Sequence, residues 1–240
     1  MTPALSFDRA TPYRELRDPP LPEPLRALAL ACFAAQRAAV AGGPAALDEA
    51  RACAGPTAEQ ATSETELARL LASGQTVAGV VTQREVATAI PFNARHTRDA
   101  VRSRDVAAHR RRLDAALARW VPALFAGEMR PLLFAAGQWW YPPGTYFGWH
   151  TNHGYPGWRL YLSHAEEPGR SCFRYRDPAS GAVVTSPDGR WDVRFFEVSA
   201  ERLFWHAIAS DTHRFSVGWV VRPWSLREAG RAAVKNMLGR

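Results

Sequence analysis

Lysine is all but missing from this sequence: Lys235 is the only one, so 29 of the 30 basic residues (30 − 1) are arginine. The net charge of +7 therefore comes from scattered arginines in a chain also rich in alanine, glycine and proline. That is a compositional bias, not a basic-aromatic surface, and it argues against a nucleic-acid partner. The densest run, Arg110-Arg111-Arg112, follows His109 on a helical pattern and reads as a solvated face. Cysteine is scarce as well. Cys32, Cys53 and Cys172 are odd in number and far apart, with no Cys-x-x-Cys, which excludes a disulfide framework or a zinc knuckle and fits a reducing compartment. Nothing approaches the roughly 20 apolar residues of a membrane span. The most apolar stretch, residues 25–40, is interrupted by Arg26, Gln36 and Arg37, and no basic start leads into an apolar block at the N-terminus. The expectation is a cytoplasmic protein with no membrane partner.

What the chain has is enough apolar material, 47% of its residues, for one sizeable core over 240 positions. Residues 1–24 are proline-rich and read as irregular surface structure. Helical spacing follows over residues 25–40, closed by Gly42-Gly43-Pro44, and again over 45–54. Ser63 to Glu66 fits the Ser-x-x-Glu capping box ahead of Leu67, Leu70 and Leu71, with Gly74 as the stop. Residues 76–82 are β-branched and read as a strand, and 105–120 form the clearest helix, a packing helix with Val106, Leu113, Leu117 and Trp120 on one side. From Leu132 the rhythm changes. Short strands alternate with the turn signals Pro142-Pro143-Gly144, Pro156-Gly157, Pro168-Gly169, Asp177-Pro178 and Pro187-Asp188-Gly189, which is the spacing of an antiparallel sandwich or barrel. Residues 226–238 read as a last helix. The expected fold class is α+β in a single domain over 1–240. Its parts are a mainly helical support over 1–131, a β core over 132–223 and a short C-terminal helix over 224–240.

Two segments within that core carry chemistry. In YPPGTYFGWHTN, residues 141–152, strand alternation would put His150 and Asn152 on one face, with Trp149 and Thr151 on the other. In FWHAIASDTHRFSVG, residues 204–218, His206 precedes a strand that alternates Arg214, Ser216 and Gly218 with Phe215, Val217 and Trp219. Two histidines 56 positions apart (206 − 150) and a short oxygen-bearing side chain suit a facial set for non-haem Fe(II), which keeps positions open for a co-substrate and oxygen.

Residues 132–223 resemble the Fe(II)/2-oxoglutarate-dependent oxygenases, in which His-x-Asp/Glu, a long insertion, a second His and an Arg-x-Ser follow in this order. The resemblance implies a double-stranded β-helix, or jelly roll, as core. It implies Fe(II) on His150, Asn152 and His206, and 2-oxoglutarate held by Arg214 and Ser216 with a tyrosine from Tyr141, Tyr146 or Tyr161. O2 would be the oxidant and a small molecule the substrate, with C–H hydroxylation the commonest outcome. Arg159, Arg174 and Arg176 are candidates for a substrate carboxylate. The five tryptophans Trp139, Trp140, Trp149, Trp158 and Trp205 read mostly as core, with one or two walling the site. A plain salt bridge from Arg214 to Asp177 or Asp192 is the structural alternative to a co-substrate clamp.

One position departs from the pattern, because Asn152 stands where a carboxylate is expected. Its amide oxygen can ligate without charge. Alternatively the position stays open to water or an anion, as in similar halogenases, or His153 or Asp211 takes over. Strand alternation would turn His153 to the wrong face unless a bulge intervenes. Halogenation, desaturation or ring closure would use the same cofactors. An oxygenase acting on nucleic acid or protein, and a non-enzymatic jelly-roll binder with a degenerate metal site, are the remaining alternatives.

Overall fold

The structure is a computed structural model and describes residues 5–39, 57–73, 76–77, 80–81, 92–93, 100–125 and 130–224. It holds two antiparallel sheets stacked face to face, with a helical layer against the outside of each. Strands β5 (Arg130–Tyr141), β7 (Gly157–Ala165), β10 (Trp191–Val198) and β12 (Arg214–Trp224) join β1 (Tyr13–Arg17) and β4 (Phe92–Asn93) in the order β1-β10-β7-β12-β5-β4. Strands β6 (Thr145–His150), β8 (Ser171–Arg176), β9 (Val183–Pro187) and β11 (His206–Ser210) form the second sheet, in the order β6-β11-β8-β9. From β5 onward the chain passes back and forth between the sheets, and only the β8–β9 hairpin stays within one.

Alternation along the strands makes the layers. On β12, Phe215, Val217 and Trp219 turn outward. They pack with Leu160 and Leu162 of β7 and Val193 and Phe195 of β10 against helices α1 (Glu23–Ala38) and α4 (Ala100–Trp120). Leu25, Ala29 and Phe33 of α1 and Leu113 and Leu117 of α4 supply the facing side chains, all buried. Each such large side chain contributes about 1.5–3 kcal/mol by leaving water. The short helices α2 (Ala58–Ala61) and α3 (Glu64–Ala72) cover the other sheet. There Leu67 and Leu70 meet Trp149, Trp205 and Ala207. Ser63 caps α3 by accepting from the Glu66 N–H at 3.1 Å, which is one half of the expected capping box; the Glu66 carboxylate pairs with Arg69. The space between the sheets is aromatic, with Tyr141, Phe173, Phe196, Phe204 and Ile208 at its centre.

Several expectations need correction. The segment before α1 is not irregular throughout: Tyr13–Arg17 adds a strand to β10, with Tyr13 opposite Phe196 and Arg17 opposite Asp192. Its prolines flank the strand, where they cost no ladder bond. In place of the strand expected over 76–82, the described residues there form two short ones, β2 (Thr76–Val77) paired antiparallel with β3 (Val80–Val81). The arginine run is not wholly solvated. Arg110 is buried, pairs with Asp114 at 2.7 Å and donates to the carbonyl of Gly218, while Arg111 and Arg112 are exposed. The expected helices over 45–54 and 226–238, and the stops at Gly42-Gly43-Pro44 and Gly74, lie outside the described residues.

Candidate metal centre

His150 ends β6 and His206 begins β11, directly opposite each other in the ladder. The register then slips: Ile208 faces Phe147, so β6 carries one extra residue between the two pairs. That bulge is what turns Phe147 and His150, three positions apart, to the same inner side, their rings 4.0 Å apart. The His150 and His206 rings are also 4.0 Å apart, at 54°. Trp149 points away, into the α3 layer, and donates its indole N–H to the Ser63 carbonyl at 2.8 Å.

Asn152 reaches the histidines by a different route from strand alternation. The strand has ended at His150, and Asn152 sits in a turn with φ 54°, a left-handed conformation that asparagine tolerates better than most residues. Its Nδ2 lies 3.3 Å from His206 Nε2. The sequence thus anticipates the convergence, but a turn and not a shared strand face produces it.

Both imidazoles are held in one tautomer. His150 Nδ1 donates to the Gly148 carbonyl at 2.7 Å and His206 Nδ1 to the Phe204 carbonyl at 3.0 Å. In a neutral ring bonded this way the lone pair lies on Nε2, as a metal ligand requires. His206 is fully buried among Phe173, Phe196 and Phe204, and burial lowers its pKa to about 4, so it is neutral at physiological pH. Among the described residues no three His, Cys, Asp or Glu side chains converge on a point. The set reaches three donors only with the Asn152 carboxamide. His153 is tied to Thr151, its Nδ1 2.9 Å from Oγ1. Asp211 lies beyond Ser210, at the far end of β11 from His206, so neither replaces the missing carboxylate.

The remaining candidates divide by face. Tyr141, Tyr161, Arg159, Arg214 and Ser216 point between the sheets, and Trp139 is the tryptophan of the five that joins them. Tyr146 does not; its ring lies against Ala58 and Ala61 on the outer side of β6. Arg174 also faces out, pairing with Glu59 at 3.0 Å and donating to the Thr62 carbonyl. Arg176 donates to the Gly181 carbonyl within its own hairpin. Gly218 is the third inner position of β12, and a Cβ there would meet Tyr161 Cε1 at 2.6 Å, so glycine is what lets that ring lie against the strand.

Arg214 is fully buried and its guanidinium lies over the Tyr141 ring, 5.1 Å from the centroid. Its ion-pair partner is neither Asp177 nor Asp192 but Asp188, at 2.8 Å through Nε, and Nη2 donates to Ser163 at 3.1 Å. Nη1 has no hydrogen-bond partner among the described residues. Asp188 also accepts from Arg194 at 2.7 Å and from Ser171 at 2.5 Å. Burial alone would raise the Asp188 carboxyl, but Arg214 and Arg194 bring it down to about 2. Asp188 is the residue the sequence reading missed. The Pro187-Asp188-Gly189 step looks like a turn and nothing more. The available signal was that Arg194 and Arg214, both at inward strand positions, require a buried carboxylate.

Asp192, beside this pair, behaves in the opposite way. Burial, together with the charges of Asp188 and Glu15, raises its pKa to about 6 against the pull of Arg194. The folded state then holds the Asp192 proton more tightly than the unfolded chain does, so stability falls as pH rises from about 4 through about 6. Asp192→Asn keeps an oxygen for the Gly189 N–H that Asp192 now accepts at 2.9 Å. The variant is expected to be about 1–3 kcal/mol more stable than wild type at pH 7 and equal to it near pH 4. Urea midpoints at the two pH values check this; a variant weaker at pH 7 would show that the ionised carboxylate is needed.

No family model matches the sequence, and no curated protein matches it. Among the solved structures that align with the fold, two illustrate how low the similarity is. One is an oxidoreductase of the 2OG-Fe(II) oxygenase family from Burkholderia pseudomallei, at 11% identity over 49% of this chain and 57% of that one, with a TM-score of 0.37. The other is a Pseudomonas putida prolyl-4-hydroxylase, at 18% identity over 89% of this chain and 95% of that one, with a TM-score of 0.38. The chain thus spans little more than half the length of the first. With similarity this low, the side chains themselves have to carry any functional reading.

Proposed function

We propose that the chain is a non-haem Fe(II)/2-oxoglutarate-dependent oxygenase built on a jelly-roll core, and that it hydroxylates an unactivated C–H bond of a small molecule. The observation that carries the reading is the pair of imidazoles. Backbone carbonyls accept from both Nδ1 atoms, so that each ring when neutral carries its lone pair on Nε2, and the Asn152 carboxamide lies 3.3 Å from Nε2 of His206. Such orientation by second partners is what ligand histidines require. Turning the Asn152 amide end for end presents its oxygen at the same place. The residues therefore fit a divalent metal, with His150, His206 and Asn152 as its holders. When bound, iron with 2-oxoglutarate supplies the oxidising chemistry: O2 is consumed, the co-substrate leaves as succinate and CO2, and one oxygen atom goes to the substrate.

The protein's own contribution is to position and to exclude water. Arg214 offers the distal carboxylate of 2-oxoglutarate its Nη1, which has no hydrogen-bond partner among the described residues, with Ser216 and the hydroxyls of Tyr141 and Tyr161 on the same inner surface. Tyr141 and Tyr161 stay neutral, burial raising both pKa values, so each can donate a hydrogen bond to an anion. The aromatic layer of Phe173, Phe196 and Phe204 around His206 keeps that side of the centre dry. Halogenation, desaturation or ring closure would ask the same of these residues.

A second reading has one observation in its favour. If Asn152 Nδ2 permanently donates to His206 Nε2, the centre is internally satisfied and the chain is a binding protein without metal. Anaerobic addition of Fe(II) and 2-oxoglutarate separates the two. The oxygenase reading predicts a weak visible charge-transfer band that needs both components, followed on oxygen exposure by succinate formation. An unchanged spectrum with no iron retained would leave the binding protein.

A further inference from the structure

The geometry points to Arg159 as the anchor for a carboxylate of a small-molecule ligand at the metal centre; this deepens the oxygenase reading by giving its ligand a chemical class. Arg159 lies on β7, two residues before Tyr161 and on the same inner face, and is only 5% exposed. The other buried inner arginines, Arg194 and Arg214, both have Asp188. Arg159 has no acidic partner among the described residues. Its hydrogen bonds there go to two backbone carbonyls, those of Trp158 at 3.2 Å and of Tyr155. Those use two of its five N–H donors and none of its charge. A buried guanidinium without a counter-charge is costly, and a ligand that brings one is favoured accordingly.

Its place ties it to the centre. Tyr155 belongs to the turn that carries Asn152, and its N–H donates to the Asn152 carbonyl at 3.0 Å. The charge of Arg159 also bears on Tyr161 beside it, where it opposes the rise in pKa that burial causes. With Asn152 in place of a carboxylate and Arg159 without an acidic partner among the described residues, this end of the inner surface is short of negative charge. An incoming carboxylate supplies it, and the planar fork of Arg159 suits it geometrically.

The test is calorimetric titration, metal-free and with Mn(II) under anaerobic conditions. The probes are 2-oxoglutarate, succinate and the common L-amino acids, each amino acid against its own carboxamide. Wild type is expected to bind at least one of these acids, and Arg159→Gln to bind it about tenfold or more weakly, the worth of one charge-assisted pair. Preference for acid over amide should vanish with it, and Arg159→Lys should restore part of the affinity. Loss confined to 2-oxoglutarate and succinate identifies the co-substrate as the ligand held; loss confined to an amino acid identifies the substrate. If Arg159 merely pins the turn, Arg159→Gln will lose Mn(II) and keep its relative affinities for acid and amide, which overturns the proposal. So does failure of every one of these carboxylates to bind wild type at millimolar concentration. Mn(II) retention by wild type, read by electron paramagnetic resonance, is a separate result. A protein that binds acid through Arg159 but no metal keeps the anchor and loses the oxygenase.

Discussion

His206→Ala is expected to leave a folded chain that retains no iron and turns over nothing. Losing an outer-shell partner of a metal ligand already costs 10–100-fold in affinity or activity, so removal of one of only two imidazoles should exceed about 100-fold. The remaining donors would be one half-buried histidine and a neutral amide, too few and too weakly charged to hold a divalent ion against water. His150→Ala is expected to match it. His153→Ala is the control: bonded to Thr151, it should change neither iron content nor turnover. Far-ultraviolet circular dichroism guards against a trivial result, because His206 packs on Phe173, Phe196 and Phe204 and its truncation leaves a cavity. If folded His206→Ala retains iron as wild type does, the two-histidine site is wrong.

The largest effect on stability is expected at Asp188. Asp188→Ala strands Arg214, whose one carboxylate partner among the described residues it is, while Arg194 keeps Glu15 at 2.9 Å; breaking a buried pair in this way costs about 3–5 kcal/mol. Against a total stability of about 5–15 kcal/mol, that brings the chain close to unfolding at 25 °C. The sign of the pH dependence follows. Because the folded Asp188 pKa is depressed to about 2, its contribution is fully present above the ordinary carboxylate value near 4. It is lost as pH falls through about 2. Adding Arg214→Leu to Asp188→Ala should recover part of the loss, since the stranded charge goes with it. Denaturant midpoints for the two variants provide the measurement, and a single variant within about 1 kcal/mol of wild type would contradict the ion-pair account.

These two sites show what a sequence discloses and what it hides. The alternation of Phe215, Val217 and Trp219 with Arg214, Ser216 and Gly218 is local and survives intact in β12, because side-chain direction on a strand has a fixed period. The apolar spacing of α4 survives for the same reason. His150 and His206 were legible as a pair, but the manner of their meeting was not. It depends on a bulge in β6 and on a left-handed Asn152, each a single-residue event without a periodic signature. Asp188 was hidden because its two arginine partners are 6 and 26 residues away and meet it only once the sheets are stacked. β1 was hidden by its flanking prolines, and Arg110 by neighbours that are indeed exposed. Arg174 and Arg176 looked equivalent to Arg159 in sequence; strand register sends them outward, where Glu59, Thr62 and Gly181 receive them.

Iron content across substitutions at Asn152 tests the central claim most directly, because this is the donor that the account adds to the two histidines. With Asn152 as a ligand through its amide oxygen, Asn152→Ala should hold Fe(II) more weakly than wild type and stall 2-oxoglutarate consumption. Asn152→Asp should hold it at least as tightly, through the added charge, and still consume the co-substrate. The two variants and wild type are loaded anaerobically, dialysed together and assayed for iron per chain and for succinate. Iron held equally by wild type and Asn152→Ala, with unchanged turnover, would contradict the triad of His150, Asn152 and His206.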